Sequence, residues 1–464
     1  MIHKLKCLLH LMLLSISATS LAQVAVGAPP SDAEIRTLLS KRISDLSGGE
    51  KKVGIIVGLI NPSGTRIISE GYIDENGLRK PDGNTVFEIA SVTKVFSGLL
   101  LAQMVQKGEI DLNTPVSNYL PKDVKLPQQN GKQITMLDLA THTSGLAFMP
   151  DVAIENSKGL YDYLASCKLN TEIGKTWDYS NTGYWLMSEI ISKKTGIPFE
   201  DAMSKEILSS LQLTSTGFKL SPSMRANLAV GLDASLQKAP MMVDVPNYKL
   251  MPAAGLLYSS VNDLLKVLTI SMGIKRNALS PAIEVSLSRS RPISDKKKQA
   301  LGWIILDEGV DQFIYHDGIS AGYAGCIMYN PKKQIGVVVL SNQATDISDL
   351  AHHLLDSTFP LATPKLVKQT QLKLEPSKLS NYEGKFQTAD GEVFTVSKKG
   401  ESLQLESPPD WGLPVLAIHP ESETKFFMKE LPMKVIFNQE AGKIESIVIY
   451  PPRRNDGISA KRVR

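Results

Sequence analysis

The chain has 464 residues, with 51 Lys or Arg against 47 Asp or Glu and a formal net charge of +4. That length exceeds one small core and predicts two or three domains. Charge so small, with both signs interspersed, excludes a nucleic-acid patch or a polybasic membrane stripe as the organising feature, and the Arg453, Arg454, Lys461, Arg462 and Arg464 cluster reads as a solvated end.

At the start, Lys4 and Lys6 precede an apolar run over residues 8–16 that ends in Ser20-Leu21-Ala22. This predicts a secretory signal peptide, residues 1–22, cleaved after Ala22. The run is too short to span a bilayer, so the mature chain is expected in the periplasm or secreted, with no membrane span. Cys7 precedes the apolar run and is removed with it, which argues against a lipid anchor. A Cys167 to Cys326 disulfide is open in an oxidising compartment, but the two segments are assigned to different layers, and two buried free thiols are expected.

Ser31 with Glu34 forms a capping box before a helix whose apolar positions are Ile35, Leu38, Leu39, Ile43 and Leu46. Strands over 53–60 and 65–72 flank the hairpin-type turn Asn61-Pro62-Ser63-Gly64. An extended segment over 85–90 then gives way to an amphipathic helix with Val95, Leu99, Ala102 and Val105 on one face. At that junction stands Ser91-Val92-Thr93-Lys94.

A serine hydroxyl is a poor nucleophile at neutral pH, and i, i+3 spacing brings the Lys94 amine to it as a base. At a helix N-terminus the free N–H groups favour an oxyanion and the dipole disfavours a protonated amine. Ser235 with Lys238 and Ser294 with Lys297 share the spacing, so spacing alone carries little; Ser91 alone has the strand-to-helix context.

From 108 to 250 the apolar spacing is mainly helical. Strand patterns return at 301–306, 312–316, 324–329 and 335–340, and a helix with Ile347, Leu350, Ala351, Leu354 and Leu355 on one face follows. The expectation is an α/β (α+β) domain, residues 23–360, in which both ends build one antiparallel sheet flanked by helices and an all-α subdomain fills the middle. A cleft between the two halves is the expected ligand site. A linker over 361–372 leads to a small all-β domain, 373–464, with strands at 392–397, 402–406, 425–428, 434–437 and 444–449, forming a meander or a closed barrel. Its His419 reads as structural, without a nearby partner.

Two motifs sit where a cleft enzyme needs them. Tyr179-Ser180-Asn181 offers a hydroxyl that can exchange protons beside an amine and an amide that can orient a carbonyl, although a plain turn before a helix near Thr182 has the same residues. His316-Asp317-Gly318 ends a strand. Glycines there let a substrate lie along the strand, and the N–H just beyond can complete an oxyanion hole with that of Ser91.

With these three motifs in order, the chain resembles the serine β-lactamase and penicillin-binding peptidase superfamily, specifically its class C β-lactamase branch. Thr141-His142-Thr143-Ser144-Gly145-Leu146, Ala253-Ala254-Gly255-Leu256, Leu301-Gly302-Trp303 and Ser341-Asn342 extend the likeness over about residues 30–358. The C-terminal part resembles the small lipocalin-like modules that follow such hydrolases. The resemblance implies that Ser91 forms an acyl-enzyme, Lys94 and Tyr179 move its proton, Asn181 holds the acyl-side amide, and the N–H groups of Ser91 and Ile319 form the oxyanion hole. His316 and Gly318 would bind substrate, and His142 would be structural. Many class C enzymes carry lysine where His316 stands, whereas histidine is only partly charged at neutral pH. Histidine there is found in some DD-peptidases, D-aminopeptidases and esterases of the superfamily.

The function expected is cleavage of a β-lactam or a D-amino-acid peptide amide, with a carboxylesterase or D-aminopeptidase as the alternative; a broad peptidase or a non-enzymatic sensor carries less. Substrate would be a small molecule or derive from peptidoglycan, with no nucleic acid, metal or cofactor.

Overall fold

The structure is a computed structural model describing residues 30–464 except 151, 153, 234, 246, 363–371, 401, 409–414, 429–432, 441, 451–456 and 464. The expected signal peptide, most of the linker, and Arg453, Arg454 and Arg464 lie outside the described residues.

The first helix, Asp32–Ser47, begins with both hydrogen bonds of the Ser31 and Glu34 capping box and ends at Gly48 in the left-handed conformation. Its Ile35, Leu39 and Leu46 are buried against a sheet. That sheet has eight antiparallel strands in the order Gly64–Gly71, Gly54–Asn61, Ile335–Ser341, Ala324–Asn330, Gln312–Ile319, Ile304–Asp307, Lys297–Ala300 and Ser290–Ser294. Asn61 pairs with Gly64 across the hairpin turn, and Val57 pairs with Val339 where the two ends of the domain meet.

Alternation along these strands sorts the side chains. Val57, Phe313, Cys326 and Val339 pack with Ile35, Leu350 and Leu354 of the first and last helices, while Ile56, Ile314, Ile327 and Val338 face the helical half. The same alternation sends His316 and Gly318 toward the helical half and Asp317 away from it. Cys326 is buried in one layer, half-buried Cys167 packs in the other, and both are free thiols.

Three expectations about this sheet change. The edge strand Ser290–Ser294 and its neighbour Lys297–Ala300 are unforeseen in the sequence, because only Gln299 and Ala300 among them are buried and the rest read as a polar loop. The strand expected from 301 starts at Ile304, since Leu301-Gly302-Trp303 turns at Gly302 with φ 78°. The His316 strand runs on to Ile319 and carries the whole motif into the ladder.

The Thr93–Gln106 helix is buried nearly all round, not on one face. It is clamped from two sides: a Cβ on Gly98 would fall 2.1 Å from Leu301 O, and Ser97 Oγ donates to Ala253 O at 2.8 Å. A helix apolar on every face belongs inside a core.

In the C-terminal part, eight antiparallel strands follow one another from Gly384–Thr388 to Ile458–Val463 and close into a barrel, with Phe386 paired to Arg462. Closure removes both sheet edges and fills the interior with Phe386, Phe394, Leu403, Val435 and Phe437. Gly384–Thr388, Leu416–Pro420 and Ile458–Val463 add to the five strands expected. His419 has a partner after all, standing opposite Phe427 with ring centroids 5.6 Å apart. Among the described residues no helix is long and apolar enough to cross a membrane.

Candidate active site

The short strand Val86–Glu88 leads to Ala90, whose φ of 42° turns the chain sharply. Ser91 lies in a single 3-10 turn, Ala90–Val92, and the α-helix starts at Thr93, so the serine precedes the helix instead of opening it. Ser91 is partly exposed while Lys94 is wholly buried.

Lys94 Nζ lies 3.3 Å from Ser91 Oγ, 2.8 Å from Asn181 Oδ1 and 2.7 Å from Ala254 O. Two of these neighbours are carbonyls that can only accept. In its neutral form the amine would have two N–H groups for these carbonyls and a lone pair left for the Ser91 hydroxyl. The rings of Tyr179 and Tyr184 close the amine's other side, at 4.8 and 5.0 Å to their centroids.

Tyr179 reaches the site on a loop stitched to the 142–148 segment. Asp178 N–H donates to His142 O, Ser180 N–H to His142 Nδ1, and Asn181 N–H to Phe148 O. Ser180 then caps the helix Asn181–Thr195 by accepting from Gly183 N–H. The Tyr179 hydroxyl donates to Ser91 Oγ at 2.8 Å, and its ring stacks on His142 with centroids 4.2 Å apart. Burial, then the charges of Lys94 and His316, hold His142 well below the usual histidine range. With Nδ1 accepting from Ser180, the proton of the neutral ring sits on Nε2.

Asn181 turns its Oδ1 to Lys94 and its Nδ2 to Met149 Sδ at 3.8 Å, a weak acceptor that leaves the amide able to donate to a substrate carbonyl. Gly318 meets the Ser91 turn from the sheet side, where a Cβ would fall 2.5 Å from Ile89 O and 2.7 Å from Ser91 N. Ile319, the next residue, pairs with Ala324 and is partly exposed. His316 is buried, and its Nδ1 sits 2.7 Å from Asp317 O.

The structure thus brings Ser91, Lys94, Tyr179, Asn181 and Gly318 together and sets His316 and Ile319 on the same strand as Gly318. It adds groups that residue identity did not announce: the Ala254 carbonyl, the Tyr184 ring, and Phe148, whose ring lies 6.1 Å from that of Tyr179. The Ala253-Ala254 pair signalled the first, since that segment accepts from both Ser97 and Lys94. Among the described residues no cluster of His, Cys, Asp and Glu could hold a metal ion.

A family model described as Beta-lactamase matches residues 40–355, and the chain belongs to that family. It is 25% identical over 344 residues to a "Beta-lactamase" of Escherichia coli (strain K12), covering 67% of this chain and 89% of that protein. It is 26% identical over 295 residues to "Protein flp" of Staphylococcus aureus (strain N315), covering 61% of this chain and 58% of that longer protein. Among solved structures, one described as a class C beta-lactamase superposes with a TM-score of 0.63 at 24% identity, covering 72% of this chain and 99% of the other. A Beta-Lactamase/D-Alanine Carboxypeptidase from Pseudomonas syringae superposes with a TM-score of 0.62 at 18% identity, covering 71% and 100%. The fold of the catalytic part is therefore that of class C β-lactamases.

Proposed function

We propose that this protein is an exported serine hydrolase that cleaves a β-lactam or a D-amino-acid peptide amide through an acyl-enzyme on Ser91. One observation carries this reading: Ser91 Oγ stands between the Tyr179 hydroxyl at 2.8 Å and Lys94 Nζ at 3.3 Å. Ser91 Oγ attacks the substrate carbonyl carbon as its proton passes to Lys94; the bond to the leaving group breaks as Tyr179 delivers its proton to that group and is reprotonated by Lys94. The N–H groups of Ser91 and Ile319 take the oxyanion, while Asn181 Nδ2 binds the acyl-side carbonyl. Water then attacks the ester carbon as the Tyr179 and Lys94 pair takes one of its protons, and the pair returns a proton to Ser91 Oγ as the ester bond breaks. Family membership and the names borne by the similar proteins support the class of substrate. Export rests on the first 22 residues of the sequence.

One observation favours a second reading, a carboxylesterase or D-aminopeptidase on the same scaffold. His316 occupies the strand position where a permanent cation would grip a substrate carboxylate, and an ordinary histidine is mostly neutral above about pH 7.

Intact mass followed over time with a penicillin, and separately with a p-nitrophenyl ester, tests both. A penicilloyl adduct on Ser91 that forms and decays is the expected result, and it vanishes in Ser91→Ala. An adduct from the ester alone selects the second reading. Folded wild type acylated by neither reagent at any time overturns both.

A further inference from the structure

Gln299 is wholly buried on the strand Lys297–Ala300. Its Nε2 donates to Trp303 O at 3.1 Å and to Ala300 O at 3.2 Å, and its Oε1 accepts from the Trp177 indole N–H at 3.4 Å. Hydrogen-bond chemistry permits only this orientation: the flipped amide would aim its oxygen at two carbonyls and its N–H groups at the indole N–H. Trp177 is half-buried in the loop that carries Tyr179 two residues later. Its ring stands edge-on to His142, with centroids 6.2 Å apart and planes at 83°, and its centroid lies 6.1 Å from that of Tyr179. His142 is the ring on which Tyr179 stacks. Directly opposite Gln299 on the edge strand stands Arg291, whose Nη1 donates to Gly174 O, three residues before Trp177. Cross-strand partners share one face of a sheet, so the hairpin at the sheet's edge grips the Tyr179 loop at two points.

We infer that Gln299 is a positioning residue for proton transfer at Ser91, acting through the Trp177 indole on the ring of Tyr179. The role rests on the acyl-enzyme reading above, in which the Tyr179 hydroxyl moves a proton. That hydroxyl donates to Ser91 Oγ at 2.8 Å, and a tilt of its ring would carry it off the contact. Three rings bound it: His142 at 4.2 Å, Phe148 at 6.1 Å and Trp177 at 6.1 Å. His142 and Phe148 belong to the 142–148 segment, whereas Trp177 shares a loop with Tyr179. An indole held only by its own loop would shift along with its neighbour and restrain nothing. The bond to Gln299 ties it instead to a strand paired on both sides, to Arg291 and to Ile304. Without an acceptor at 299 the indole N–H must turn to another partner, and Tyr179 loses the wall on that side.

The test is a double-mutant cycle on the acylation rate of the full chain, with the penicillin or the p-nitrophenyl ester, whichever labels Ser91. Gln299→Met keeps the length of the side chain and removes the acceptor. It should slow acylation by about 10- to 10²-fold, as a displacement of up to about 1 Å at the reacting groups does. In Tyr179→Phe, which has no hydroxyl to aim, adding Gln299→Met should change the rate by less than about twofold, because the two residues act as one unit. A residue needed only for folding would slow both backgrounds by the same factor. Trp177→Phe removes the indole N–H and leaves Gln299 in place; it should slow acylation only where the Tyr179 hydroxyl is present, and this arm stands if Gln299→Met does not fold. A folded variant within about twofold of wild type, or an equal loss with and without the Tyr179 hydroxyl, overturns the role of Gln299 while leaving the acyl-enzyme intact. Tyr179→Phe acylated at the wild-type rate takes the hydroxyl out of the proton path and overturns the role as well. No label on wild type from either reagent overturns the acyl-enzyme reading, and the positioning role with it.

Discussion

Tyr179 donates to Ser91 Oγ across 2.8 Å from a ring that lies on His142. The hydroxyl is aimed by a stack and by three backbone hydrogen bonds, none of which involves the hydroxyl itself. Because that contact leaves one Ser91 lone pair engaged, the serine's own proton is free to point at Lys94 Nζ, 3.3 Å away. Proton transfer out of Ser91 and back to a leaving group can then use two different side chains.

Tyr179→Phe removes the hydroxyl and keeps the ring. Acylation should slow by about 10²- to 10⁴-fold, the usual worth of a positioned acid or base. Stability should change by less than about 1 kcal/mol, because the stack persists. Stopped-flow acylation and urea unfolding measure the two; a rate within threefold of wild type would remove Tyr179 from the proton path.

Gly318→Ala places a methyl group 2.5 Å from Ile89 O and 2.7 Å from Ser91 N. Backbone cannot yield as a flexible side chain would, so the strand and the nucleophile turn must part. We expect at least about 10²-fold loss of kcat, from displacement of the oxyanion site on the order of 1 Å. The fold should lose about 1–3 kcal/mol from overpacking. Full activity in the variant would show that this contact does not set the site.

His142 is held neutral by burial, so its folded pKa lies below its unfolded value. The sign follows: it stabilises the fold above about pH 6.5, and that contribution is lost as pH falls through the depressed folded pKa. His142→Asn keeps a residue tolerated at φ 56° and deletes the titration. Denaturant unfolding at several pH values below 6.5 should show a shallower loss of stability in the variant than in wild type; His352, also lowered by burial, titrates in both. Equal slopes would show that His142 is not an acid-sensitive point.

Asp138 is 1% exposed and pairs with Arg291 at 3.0 Å, while Arg291 Nη1 also donates to Gly174 O in the loop that carries Tyr179. The pair ties the sheet's edge strand to the helical half. Asp138→Ala strips a largely buried guanidinium of its partner and also opens the Thr135 cap, which should cost about 3–5 kcal/mol. A loss below about 1 kcal/mol by urea unfolding would mean that water replaces the carboxylate there.

How far the sequence reaches can be judged residue by residue. Ser91, Lys94, Tyr179 and Asn181 were legible because their chemistry is in their identity and their spacing is local. The first helix and the Asn61 to Gly64 hairpin were legible because capping and turn residues act within four positions. The Ser290–Ser294 and Lys297–Ala300 strands were not: they pair by backbone, and polar side chains at an edge leave no alternation to read.

By itself, then, the sequence determined local conformation and the candidate set of site residues, since both depend on side-chain type at short range. Tertiary structure alone decided the surroundings of that set. Ala254 supplies a carbonyl, 160 residues from Lys94, and a carbonyl is the same in every residue. Glu88 would pass for a solvent-facing strand acid until packing buries it against Met242 and Tyr258. Barrel closure likewise depends on Phe386 meeting Arg462 across the barrel seam, a long-range pairing that no window of sequence contains.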